Sequence, residues 1–86
     1  MKTITTKYLG PTISRGARFK ATDHDGNTIT LSYDYSLTSS ANHQRACRAL
    51  CQKMGWSGEL IGGHQQNGMV WVFANSPDRF TTTKGE

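Results

Sequence analysis

Acidic residues are scarce in this chain and missing from its opening. Of six Asp and Glu the first is Asp23, and Lys2, Lys7, Arg15, Arg18 and Lys20 all precede it. Cysteine is nearly absent: only Cys47 and Cys51 occur, four apart in a stretch that reads as helix. A disulfide at that spacing would strain its own geometry, so a disulfide-stapled scaffold is excluded. The Cys-x-x-Cys knuckle of zinc modules is missing, which argues against a structural metal. Two reduced thiols point to the cytoplasm. No apolar run approaches the ~20 residues that span a bilayer, and Met1 to Lys7 lacks the apolar run of a secretory signal, so no membrane partner is expected. Glycine-rich phosphate loops and nucleophile elbows are also wanting, and the chain reads as non-enzymatic with no cofactor.

What is present is 86 residues with a formal net charge of +4, a sequence pI near 9.4 and only 35% hydrophobic residues. That is one domain with a core near the lower size limit for folding unaided. Trp56, Trp71, Phe19, Phe73, Phe80, Tyr8, Tyr33 and Tyr35 compensate, each burying a large area. The positive excess favours nucleic acid, acidic lipid or an acidic protein without choosing among them.

Alternation predicts a strand over residues 3–9, a second over 17–22 and a third from Thr28 to Tyr35, with Ile29, Leu31, Tyr33 and Tyr35 inward. Asp23-His24-Asp25-Gly26-Asn27 joins the second and third as a hairpin turn; it lacks the third acidic ligand and terminal Glu of a calcium loop. Ala41 to Met54 contains no Gly, Pro or β-branched residue and reads as a helix, capped by Ser39 or Ser40 and stopped at Gly55. Ala46, Cys47, Leu50, Cys51 and Met54 form its apolar stripe, with Gln44, Arg45, Arg48 and Gln52 opposite. A second hairpin reads as Gly58–His64 and Met69–Ala74, joined through Gln65-Gln66-Asn67-Gly68. The expected architecture is α+β: an antiparallel sheet of about five strands, in chain order β-β-β-α-β-β, with one helix on one face. Residues 1–74 form the domain, and 75–86 read as a polar tail with Phe80 as a late anchor.

One helix leaves the other sheet face open, lined by Thr3, Thr5, Lys7, Arg18, Lys20, Thr22, Thr28, Thr30 and Ser32. Guanidinium groups bind phosphate through paired bonds, Lys adds a point charge, and the Gly10–Gly16 loop presents Arg15 beside them. The competing reading is an ordinary wet sheet face, and most aromatics are expected to point away from it. Arg45 and Arg48 can enter a groove with Gln44 and Gln52, or form a plain charged helix face. His43, Cys47 and Cys51 share a helix face but supply too few ligands for zinc, and a nuclease built on His24 or His64 has no partner motif. Met69 and Trp71 on the apolar hairpin are the candidates for a protein interface or homodimer seam, against a plain core role.

Lys7-Tyr8-Leu9-Gly10-Pro11-Thr12 with Arg15-Gly16 and Arg18, then Met54-Gly55-Trp56, then Gly62-Gly63 and Met69-Val70-Trp71-Val72-Phe73, together resemble small uncharacterised proteins of bacterial plasmids, integrative elements and phages. The resemblance spans residues 3 to 74. It implies a mobile-element setting and no nameable activity, so it assigns no functional residue. The expected function is nucleic-acid binding (DNA or RNA) through Lys7, Arg15, Arg18 and Lys20, assisted by Arg45 and Arg48. The alternative is an inhibitor of a host defence complex, of anti-restriction or anti-CRISPR type, acting by occlusion through Trp71 or the Arg15 loop.

Overall fold

The computed structural model describes residues 3–66 and 68–74; the tail and the Phe80 anchor lie outside the described residues. Strand β1 (Thr3–Leu9), β2 (Arg18–Asp23), β3 (Thr28–Ser32), helix α1 (Ser39–Met54), β4 (Leu60–Gln65) and β5 (Gly68–Phe73) follow one another along the chain. The strands form one antiparallel sheet in the order β3-β2-β1-β5-β4. The fold is therefore α+β, with β1 at the centre.

The core lies between α1 and one sheet face. Ile4, Phe19, Ala21, Met69 and Trp71 from the strands meet Ala46, Cys47, Leu50 and Cys51 from the helix. The helix packs chiefly on β2, β1 and β3 and only lightly on β5. Over the terminal strand β3 its cations reach down: Arg45 Nη1 donates to the Ser32 carbonyl at 3.0 Å and Lys53 Nζ to the Thr28 carbonyl at 2.9 Å. At the far margin, β4 pairs only with β5.

Besides shifts of one or two residues at β2 and β4, three boundaries differ from the sequence reading. Strand β3 stops at Ser32, short of Tyr35. The Asp34 carboxylate accepts from the Ser36 amide at 2.9 Å and the Ser36 hydroxyl at 2.6 Å, and Leu37 N–H donates to the Asp34 carbonyl, so the chain turns. Thr38 caps the helix in place of Ser39 or Ser40, its hydroxyl accepting from Ala41 N–H at 3.1 Å. The second hairpin pairs Gln65 with Gly68, which takes both residues into the strands. A Cβ at Gly68 would collide with the Thr6 carbonyl oxygen, so only glycine lets β5 close on β1 there. Helix α1 ends as expected at left-handed Gly55, whose N–H reaches the Gln52 carbonyl, and Trp56 N–H returns to the Cys51 carbonyl.

Candidate nucleic-acid interface

Strand register builds the open face. Lys7 lies directly across from Lys20, Arg18 faces Leu9 on one side and Ser32 on the other, and Lys20 faces Thr30. Thr5, Thr22 and Thr28 make a continuous row beside them. No outward position of β1, β2 or β3 carries a carboxylate. Asp23 belongs to the helix side and is buried; its oxygens accept from the amides of Asp25 and Asn27 and from the Asn27 side chain. The Asn27 side-chain bond leads in holding its carboxyl below the usual range. Among the described residues the ion pair found is His24–Asp25, 3.4 Å, at the hairpin turn. Like charges directly opposite in a sheet repel, so Lys7 and Lys20 destabilise the free protein slightly.

Arg15 stands at one end of this face. Its loop is closed by Thr12 N–H donating to the Arg15 carbonyl at 2.7 Å and Arg15 N–H donating to Thr12 Oγ1 at 3.1 Å. A groove of about 370 Å³ opens between this loop and the end of β3, lined by Arg15, Gly16, Ala17, Arg18, Ser32, Tyr33 and Tyr35. Arg18 Nε is buried in the fold with no acceptor. Four of the proposed phosphate contacts therefore share one region: Lys7, Lys20 and Arg18 on the sheet, Arg15 on the loop.

The remaining candidates lie elsewhere. Arg45 is half-buried and committed to the β3 margin through Ser32. Arg48 is exposed on the other flank of the helix, lining a second groove of about 430 Å³ with Gln44, Trp56, Leu60 and Trp71. Neither extends the open face. Met69 and Trp71, considered as interface anchors, are core residues at 6% and 8% exposure. The exposed apolar residue of that hairpin is Ile61, paired with half-buried Val72 on the open side. Tyr35, expected to point inward, is 84% exposed, and Tyr8 is 48% exposed. The turn signal Asp34-Tyr35-Ser36 was the available clue.

Cys47 and Cys51 are unpaired and buried, with burial pushing the Cys47 thiol up to about 12. Among the described residues no group of three or more His, Cys, Asp or Glu side chains could hold a metal ion, and no helix is long and apolar enough to cross a membrane.

Beneath the face, a buried polar triad fixes the helix to the central strands. Trp71 Nε1 donates to Thr6 Oγ1 at 3.1 Å, and Thr6 Oγ1 lies 2.8 Å from His43 Nδ1. An indole N–H only donates, so the Thr6 hydroxyl accepts from Trp71 and its own proton is free to be given to Nδ1, the arrangement that lets all three groups bond in series. His43 is then the tautomer protonated on Nε2, neutral, and edge-on to Phe19 at 4.7 Å. Desolvation first, and His64 second, hold its pKa below the ordinary 6.5. The unfolded chain therefore takes up this proton first, and the stability is fully present above about pH 6.5 and lost below it. Melting temperature is expected to fall as pH drops from 7.5 to 5.5. His43→Asn, which keeps an acceptor near the Nδ1 position, should flatten that part of the curve. A variant as pH-sensitive as the parent would remove His43 from the account.

No protein-family model, curated protein or solved structure matches this chain.

Proposed function

We propose that this protein is a small, basic, non-enzymatic accessory protein of a mobile genetic element that binds nucleic acid through the open face of its sheet and the Arg15 loop. The observation that carries the reading is the Lys7–Lys20 pair, flanked by Arg18 and opposed by no carboxylate. Such a cluster destabilises the isolated protein, and a polyanion laid across it removes the repulsion. Threonine hydroxyls in the adjacent row add short donors for phosphate oxygens. The cations hold the backbone and the contact carries little sequence information.

Salt titration tests this. With Lys7, Arg15, Arg18 and Lys20 each neutralising one phosphate, affinity should fall about 50- to 150-fold between 50 and 200 mM salt. Absence of binding to both single strands and duplex at 50 mM salt would end the proposal.

A second reading, inhibition of a host defence complex by occlusion, draws on Ile61, 54% exposed beside Val72 at the β4–β5 margin. Apolar contact there is insensitive to salt, so the same titration separates the two.

A further inference from the structure

We infer that the groove at the end of β3 is a stacking site for an unpaired base, so that the protein selects single-stranded nucleic acid, DNA or RNA, over duplex. The inference rests on the nucleic-acid reading above and adds the ligand form and a contact residue, Tyr35.

A continuous series of rings runs from the core to the surface at this point. Phe19, 1% exposed, packs against Tyr33 with centroids 5.3 Å apart. Tyr33 in turn lies 4.6 Å from Tyr35 with 36° between planes, and Tyr8 closes edge-on against both Phe19 and Tyr33. At 84% exposure Tyr35 offers most of its ring to solvent.

The turn that carries the ring is also held in place. Asp34 on one side bonds Ser36, and Asn42 from the helix binds both the N–H and the carbonyl of Asp34 at 3.0 Å. A fixed aromatic platform binds with less ordering entropy than a mobile one. Solvent-facing aromatic surface on a rigid turn is where sequence-tolerant base stacking takes place.

The walls supply the complementary charge. Arg15 and Arg18 line the same groove as Tyr33 and Tyr35, and no carboxylate lines it. The guanidinium of Arg18 and that of Arg15 can each pair with phosphate or base oxygens in the groove. The volume, about 370 Å³, falls within the ordinary range of small-ligand sites. Arg18 belongs both to this groove and to the open face, so a strand whose base stacks on Tyr35 reaches Lys20 and Lys7 by passing around the sheet margin at Arg18. Bases held inside a duplex have no free face to offer Tyr35.

The experiment compares four probes of one length at fixed salt: single-stranded DNA, single-stranded RNA, duplex DNA and an abasic DNA strand. Each is titrated against the wild type, Tyr35→Ala and Tyr35→Trp. Stacking of one base predicts that Tyr35→Ala loses about 5- to 150-fold on the intact single strands. It should leave duplex and abasic binding, and the salt slope, unchanged, while Tyr35→Trp retains or improves single-strand affinity. Comparison of DNA with RNA shows which sugar the groove accepts. If Tyr35→Ala binds intact and abasic strands in the same ratio as the wild type, the inference is overturned and the phosphate reading stands. Failure of every probe to bind the wild type overturns both.

Discussion

Replacing Asn42 by alanine is expected to remove roughly 3 kcal/mol of stability, more than any change on the open face. Asn42 is 1% exposed and sits in the opening turns of α1. Its oxygen accepts from Asp34 N–H at 3.0 Å, and its amide nitrogen donates to the carbonyls of Asp34 at 3.0 Å and Thr38 at 3.1 Å, with Leu37 O at 3.4 Å. One side chain thus satisfies the backbone on both sides of the turn that carries Tyr35. Alanine removes the partner of the Asp34 N–H and of the Leu37 carbonyl, while the Asp34 and Thr38 carbonyls keep the N–H groups of Leu37 and residue 42, and each unsatisfied buried group costs about 1–3 kcal/mol. For a domain of this size roughly 3 kcal/mol lowers the melting temperature by about 12–24 °C. Asn42→Asp is the sharper probe. It keeps the shape but sets a second oxygen against carbonyls, so it should be at least as damaging near neutral pH. Acid should partly restore it, since a protonated carboxyl can donate one bond. Chemical denaturation of both variants gives the numbers directly, and a loss below about 1 kcal/mol for alanine would show the clamp to be incidental.

The second large effect concerns binding. Arg18→Glu with Lys20→Glu is expected to abolish nucleic-acid affinity and flatten its salt dependence. Two of the four clustered cations disappear and two anions face those that remain, so the net number of phosphates neutralised falls to about zero. Stability should move the other way. The carboxylate introduced by Lys20→Glu would oppose Lys7 directly, turning a repulsive cross-strand pair into an attractive one worth about 0.5 kcal/mol. A variant that melts no lower than the parent yet binds nothing separates function from folding. Affinity within twofold of wild type, with an unchanged salt slope, would remove the sheet face from the proposal.

Much of this fold was legible along the chain. Alternating apolar positions placed β1 from Thr3 to Leu9 and set Arg18 and Lys20 opposite Phe19 and Ala21, because a pleated strand with one buried face allows no other arrangement. The stop at Gly55 was equally local. The missed features depend on contacts between segments distant in sequence. Tyr33 and Tyr35 continue the alternation of β3, but the Asp34 carboxylate makes its own turn and Asn42, eight residues on, fixes it. Thr38, Ser39 and Ser40 are all competent caps, and the same clamp accompanies the choice of Thr38. Arg45 looked free on a polar helix face; only the placement of β3 under α1 gives it the Ser32 carbonyl. Strand order was likewise beyond local reading, since β1 and β5 come from opposite ends of the described chain and meet only when the sheet closes.

The margins of that sheet have unequal chemistry, and the difference bears on self-association. On the β3 side, Arg45 and Lys53 occupy two main-chain carbonyls, and an incoming strand would have to displace both cations. The β4 side has no neighbour beyond it among the described residues, and Leu60–Gln65 contains neither lysine nor proline to repel one. Copies that join through their β4 margins meet as equals around a twofold axis, leaving only guarded β3 margins outermost. Edge pairing at β3 would thus cost two cation–carbonyl bonds that pairing at β4 would not, and the helix, through Arg45 and Lys53, supplies that asymmetry.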